Sequence, residues 1–416
     1  MPEHKPIDWV INANAAATRR SPGVTELFPP GTFNLARSFH CSLPGYKISP
    51  LKNLARLAAM TGVGGIWVKD ESARLSLNSF KVLGGSFAIY RYIKGRLGAD
   101  ARQMPFAELT AAAVRPRLGE ITFAAATDGN HGRGVAWSAT QLGYASVIYV
   151  HKLTSQNRIQ AIQRNGARVV VVDGTYDDAV RQVEADAREN GWQVISDTSW
   201  EGYTDIPLWV MQGYTTMLSE AQEQFAAQGI IRPTHIFVQA GVGSLAAATI
   251  GFYAEIFGPD RPSTVVVEPT AAACLFRSAQ VADGQPHDFE GDLDTIMAGL
   301  ACGEPNPIAW RILWECADVF LQCPDYVAAK GMRVYGVPLA GDPFIVSGES
   351  GAVTLGALLF MLERPENAPL REHLGLGPES QVLLINSEGN TDPDEFRRVV
   401  WEGGNPVPDR YKQFRR

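Results

Sequence analysis

His235-Ile236-Phe237-Val238-Gln239-Ala240-Gly241-Val242-Gly243-Ser244-Leu245-Ala246 is the stretch from which the rest of the chain is best read. Its first five residues read as a strand buried on both faces. Glycines then permit a tight turn, and a small, apolar run from Ser244 opens a helix. Such a turn aims backbone N–H groups and the positive end of the helix dipole at one point, which suits a phosphate, and Ser244 adds a hydroxyl donor. The spacing leaves the cofactor open. Gly241-x-Gly243-x-x-Ala246 also fits a dinucleotide fingerprint, with Glu268 ending the next strand where a ribose-binding acid is expected. Close packing of helix on strand would equally favour these glycines.

The same grammar recurs on both sides. Apolar runs at Gly65–Lys69, Thr122–Ala126, Ser146–Val150, Arg168–Val172, Gln193–Ser196, Thr264–Val267 and Gln381–Ile385 read as strands. Helical stretches such as Gln156–Asn165, Tyr176–Asn190 and Leu208–Ala227 separate them. Alternation of this kind predicts an α/β fold with parallel sheets covered on both faces. The elements are too numerous for one open sheet, so two are expected. Ala282–Asp294, polar and rich in turn formers, reads as an irregular excursion.

Three further loops carry chemistry. In Leu77-Asn78-Ser79-Phe80-Lys81-Val82-Leu83-Gly84-Gly85 a helix is expected to begin near Ser79. A lysine at a helix start opposes the dipole, so Lys81 is either a solvated surface group or a desolvated amine poised as a nucleophile. Ala126-Thr127-Asp128-Gly129-Asn130-His131-Gly132-Arg133-Gly134 joins a strand to a helix expected over Val135–Leu142. Its small and polar groups suit an anion, with simple capping by Asp128 or Asn130 as the plainer alternative. Asn386-Ser387-Glu388-Gly389-Asn390-Thr391-Asp392 follows a strand at the edge where open α/β sheets place ligands. Ser347–Ala352 reads most simply as the N-cap of a helix over Ala352–Leu362.

Composition narrows the partners. The 416 residues are 45% hydrophobic and 19% charged, with a formal net charge of -7 and no long basic run. That balance argues against nucleic acid or an acidic membrane surface as a partner. Neither a signal peptide nor a spanning segment is expected. Five cysteines without a CxxC pair favour a reducing compartment, the cytoplasm by default. The seven histidines show no ligand spacing, so no metal is expected.

The four loops in this order, together with Val68–Ser72, Asp197–Thr204 and Ile296–Pro305, resemble the fold type II pyridoxal phosphate (PLP) enzymes. These include serine and threonine dehydratases, threonine synthase and the tryptophan synthase β chain, and the likeness is strongest to the diaminopropionate ammonia-lyases among them. The resemblance spans roughly residues 35–403. It implies two α/β domains with parallel-rich twisted sheets flanked by helices: a large PLP-binding domain (1–90 plus 205–416) and a small one (91–204). It implies a homodimer acting on a small amino acid, and PLP as cofactor. Lys81 becomes the Schiff-base lysine, Asn130 contacts the phenolic oxygen, Gly241, Gly243, Ser244 and Leu245 cradle the phosphate, and Ser387 faces the pyridine nitrogen.

Thr127, Asp128, Gly129 and His131 would then bind substrate. The dehydratases usually carry a neutral residue where this chain has Asp128. An acid there would repel a substrate carboxylate but suits an added cation, such as the β-ammonium of 2,3-diaminopropionate, with Asp197 as a second partner. The expected reaction is α,β-elimination to pyruvate and two ammonia, with Lys81 and Asp128 as bases for opposite enantiomers. A serine or threonine dehydratase, an NAD-dependent oxidoreductase built on the Gly241 loop, and a non-catalytic binder are the alternatives.

Overall fold

The computed structural model describes residues 6–17, 22–98, 103–127 and 129–412. Asp128 lies outside the described residues. Eleven strands form among those described: β1 (Asp8–Ile11), β2 (Leu51–Asn53), β3 (Gly65–Asp70), β4 (Thr122–Thr127), β5 (Ala145–His151), β6 (Arg168–Val172), β7 (Gln193–Val194), β8 (His235–Gln239), β9 (Ser263–Pro269), β10 (Val319–Cys323) and β11 (Gln381–Asn386). They make a seven-stranded sheet in the order β1-β10-β9-β8-β11-β3-β2 and a four-stranded sheet in the order β6-β5-β4-β7. The small sheet is wholly parallel. The large one is parallel except at its edges, where β1 and β2 run antiparallel to their neighbours. The expected α/β class and paired sheets are what form.

Alternation along each strand explains why continuous apolar runs are needed. Ile236 and Val238 of β8 face one apolar layer and Phe237 the other; Leu383 and Ile385 of β11 oppose Val382 and Leu384 in the same way. In the small sheet Phe123, Ala125, Ile148 and Val150 join the first of those layers, while Ala124, Ala126, Val147 and Tyr149 face a third. With helices on both faces, the central positions of such a strand are all buried.

Several expectations need correction. Strands β1, β2 and β10 were not anticipated. The first two are short, partly exposed edges. β10 follows the apolar helix Pro307–Cys316 so closely that periodicity does not separate them. The helix after β4 spans Asn130–Gln141 rather than starting at Val135. Its early glycines look like a loop but are required by packing, since a Cβ on Gly132 would stand 2.4 Å from Ile148 Cγ2 and one on Gly134 2.8 Å from Val82 Cα. The Ser347 segment enters the helix Glu349–Glu363, not one beginning at Ala352, and its N-cap Gly348 supplies no side-chain bond. The stretch Ala282–Asp294 contains no helix or strand, as expected.

Candidate active site

Lys81, Ser387 and the Gly241 loop are far apart in sequence, yet they follow β3, β11 and β8, which are neighbours in one parallel sheet. Their loops therefore leave the same edge. Across from them, β4 delivers Thr127, Asn130 and His131, and the chain leaving β7 delivers Asp197. Between the two sets lies a cleft of about 750 Å³. Lys81, Asn130, Asp197, Gly241, Gly243, Ser244, Leu245 and Ser387 all line it. This is the crevice at the carboxyl ends of the strands where α/β folds bind ligands.

Lys81 opens the helix Lys81–Arg96, and its Nζ donates to Asp197 Oδ2. The pair is largely withdrawn from solvent, with side chains 18% and 5% exposed. Burial alone would raise the Asp197 pKa, but the Lys81 ammonium, His131 and a hydrogen bond from Tyr176 outweigh it and hold the carboxyl well below the usual range. Tyr176 donates to Asp197 Oδ1 at 3.2 Å. An ionised acid thus faces the amine in a site of lowered dielectric.

The Gly241 loop forms a further part of the wall. Gly243 has φ +102° and precedes the helix Ser244–Phe257, so backbone N–H groups of its first turn point at the cleft. A Cβ on Gly241 would stand 3.0 Å from Cys302 Sγ and 3.2 Å from Leu300 Cα. Ser244 Oγ donates to the Asp197 carbonyl at 2.5 Å, and Asn306 Nδ2 donates to that carbonyl and to Ser244 Oγ at 3.0 and 3.1 Å. The glycine loop and the acid are therefore fixed to one another. Asn306 had no place in the sequence reading; its visible signal was the Asn-Pro helix start, where it caps the helix Pro307–Cys316.

Ser387 Oγ accepts from Gln239 Nε2 at 2.8 Å. Asn130 does not cap its helix; its Nδ2 donates to Glu388 Oε2. Thr127 lines the cleft, but its Oγ1 accepts the Gly129 and Gly132 N–H groups at 2.8 and 3.0 Å, so the hydroxyl shapes the turn. Gly129 is not part of the cleft wall: φ +145° sets it at the bend, and a Cβ there would face Arg158. His131 is buried, with Nε2 2.7 Å from the Ile195 carbonyl. Gln239, Tyr176, Glu388 and Ser350 were missed as wall residues. Only tertiary proximity reveals them.

The dinucleotide alternative loses its acid here. Glu268 is fully buried and takes the Leu275 and Phe276 N–H groups at 2.9 and 2.6 Å, capping the helix Cys274–Val281. It does not reach the cleft. By contrast, a phosphorylated aldehyde with a polar ring edge fits what is present. The glycine loop is packed so closely that a Cβ at 241 or 243 would press on its neighbours, and the loop and the Lys81 amine line the same cleft. Three wall atoms, His131 Nδ1, Gln239 Oε1 and Ser350 Oγ, are buried without a hydrogen-bond partner among the described residues. Buried polar atoms of that kind call for a polar ligand.

Residues 43–387 match the model of the pyridoxal-phosphate dependent enzyme family, and the chain belongs to that family. It is 47% identical over 384 residues to a diaminopropionate ammonia-lyase of Escherichia coli strain K12, covering 92% of this chain and 94% of that one. A diaminopropionate ammonia-lyase of Salmonella typhimurium is 45% identical, over 88% of this chain and 91% of its own. The crystal structure of the Escherichia coli enzyme in complex with D-serine superposes with a TM-score of 0.89 at 45% identity, covering 97% of this chain and 98% of that one.

Proposed function

We propose that the chain is a diaminopropionate ammonia-lyase, which eliminates the β-amino group of D- and L-2,3-diaminopropionate. The observation that carries this is the Lys81–Asp197 pair sharing one cleft with the Gly241–Leu245 loop. The near-full-length relatives of that name support the substrate. Lys81 holds the cofactor aldehyde through its amine. Gly241, Gly243 and Leu245 receive the phosphate through backbone N–H groups, with Ser244 locking their loop to Asp197. Asn130 would meet the phenolic oxygen and Ser387 the ring nitrogen, to which it would present a neutral hydroxyl and not a charged partner. When bound, PLP supplies the electron sink that makes the substrate α-proton acidic.

The chain's own groups do the rest. Lys81 stands on one face of the site, where its amine would act as the base for one enantiomer. Asp128, placed by its sequence position between Thr127 and Gly129, serves the other. With Thr127, Gly129 and His131 it belongs to the substrate turn. Asp197 stays ionised and attracts the β-ammonium, a cation that a serine hydroxyl lacks. Loss of that group as ammonia leaves aminoacrylate, which water converts to pyruvate and a second ammonia. The lobes are residues 1–90 plus 205–416 and 91–204, in a homodimer of the cytoplasm; the family likeness supports the dimer, and the cysteine pattern supports the compartment.

Borohydride reduction of the holoenzyme followed by peptide mapping, together with pyruvate release from both diaminopropionate enantiomers and from serine, tests this. The modified peptide is expected to contain Lys81, and diaminopropionate is expected to be the preferred substrate. Label on another lysine, or a preference for serine, would overturn it.

A further inference from the structure

Between β3 and Lys81 the backbone is forced into an unusual path. Leu75, Ser76 and Asn78 have φ of +48°, +59° and +56°, three of the six non-glycine residues in the left-handed region among those described. L-residues disfavour that region, so a turn with three of them in four positions must be held by its surroundings. One side is held by the Ser387 loop: Phe80 N donates to the Ser387 carbonyl at 3.1 Å and Gly389 N to the Asn78 carbonyl at 2.9 Å.

The other side is held by Arg74. Its guanidinium is wholly buried and uses all three nitrogens. Nε and Nη2 each donate to Glu71 at 2.7 Å, and Nη1 and Nη2 donate to the two oxygens of Glu220 at 3.0 and 2.7 Å. The Lys47 carbonyl and Ser49 Oγ take the remaining bonds, both at 2.9 Å. Lys69 Nζ, also fully buried, donates to Glu220 at 2.7 Å. Arg37 Nη1, less deeply buried, also donates to Glu220 at 2.9 Å, so three cations meet two carboxylates with their polar atoms well occupied, the condition under which buried charge is tolerated. Glu220 belongs to the helix Asp205–Ala227. That helix touches the Lys81 helix backbone to backbone, since a Cβ on Gly213 would lie 2.5 Å from the Leu83 carbonyl and 3.0 Å from Gly84 Cα.

We propose that Arg74 is a positioning residue for Lys81: by tying the left-handed turn to Glu220, it fixes the turn to the helix against which the Lys81 helix packs, and so sets where the amine stands in the cleft. The proposal rests on the assignment of Lys81 as the cofactor-bearing lysine. None of the cluster's charged groups lines the cleft, so Arg74 acts through the turn and not on substrate.

Arg74→Lys keeps the charge and removes the two-sided fork. Measured on the reconstituted holoenzyme, it is expected to lower both kcat and the borohydride-trapped fraction at Lys81 by about tenfold or more, since displacement of a reacting group by about 1 Å carries such losses. Arg261→Lys is the control: Arg261 pairs with Asp318 at 2.7 Å, nearly buried, at the amino ends of β9 and β10. It is expected to lower the melting temperature while leaving both readouts within about twofold of wild type. Adding Ser76→Gly to Arg74→Lys relieves one left-handed position at an exposed residue and is expected to restore trapping at least partly.

Trapping and kcat unchanged in Arg74→Lys, equal losses in Arg261→Lys, or no recovery with Ser76→Gly would each overturn the proposal. If Arg74→Lys does not fold, Glu220→Gln is read by the same measures. Failure of the wild-type enzyme to trap at Lys81 would instead remove the assignment on which the proposal rests.

Discussion

Lys81 and Asp197, 116 residues apart in sequence, meet as an ion pair across the cleft between the two sheets. One belongs to a helix start after β3 and the other to the chain leaving β7, so the pair exists only when both sheets are in place. Asp197→Asn keeps the shape and removes the charge. We expect kcat to fall by about 10²-fold or more, within the range for a positioned acid or base, with the loss larger on diaminopropionate than on serine. Steady-state kinetics on both substrates checks this.

Asp128→Asn addresses the proposed second base. One enantiomer of diaminopropionate is expected to lose about 10²-fold or more in kcat/KM while the other loses about tenfold or less. Equal losses on D and L forms would count against separate bases.

The phosphate cradle has a steric test. An alanine at 241 would bring its Cβ to 3.0 Å from Cys302 Sγ and 3.2 Å from the Leu300 backbone, and backbone yields poorly. Gly241→Ala is expected to weaken PLP binding about tenfold, or about 1.4 kcal/mol, measured by titrating the apoenzyme and following cofactor absorbance. Gly377→Ala, which has nothing within 4 Å of its added carbon, should bind PLP as wild type does.

Stability should vary with pH through Glu349. Burial, then the neighbouring Glu388, push its carboxyl up to about 8, against an ordinary 4.5, with Arg158 opposing. The folded chain therefore holds this proton more tightly than the unfolded one. Its contribution is unimpaired below about pH 4.5 and is lost progressively as pH rises towards 8. Glu349→Gln removes that loss, so the variant should melt higher than wild type at pH 9 and show a flatter melting profile between pH 5 and 8. Thermal melts across that range decide it.

Much of this was legible in the residues. The strand His235–Gln239 forms with the expected bounds because both of its faces are buried, and Arg168–Val172 forms with the expected bounds as a β-branched, partly exposed edge strand. The strand, glycine turn and helix start around Gly241 were readable because they are contiguous, and they form where expected. Less legible were positions whose meaning depends on a partner. Capping, the plainer alternative for Asn130, does not occur, and its side chain donates to Glu388; Glu268, which fits the spacing of a ribose-binding acid, instead caps a buried helix. The helix at Asn130 was hidden because glycine reads locally as a breaker, whereas here close packing requires it.

What the sequence determined by itself was local: which segments are strands, where the turns lie, and which four loops carry groups capable of chemistry. Those follow from periodicity and from the backbone freedom of glycine, which act over a few residues. Tertiary structure decided which groups face one another. The order of strands in the sheet brings Lys81, Ser387 and the Gly241 loop to one edge, and the second sheet sets Asp197 against the amine. Electrostatics and hydrogen bonding act through space, and the distances they require are set by packing rather than by separation along the chain.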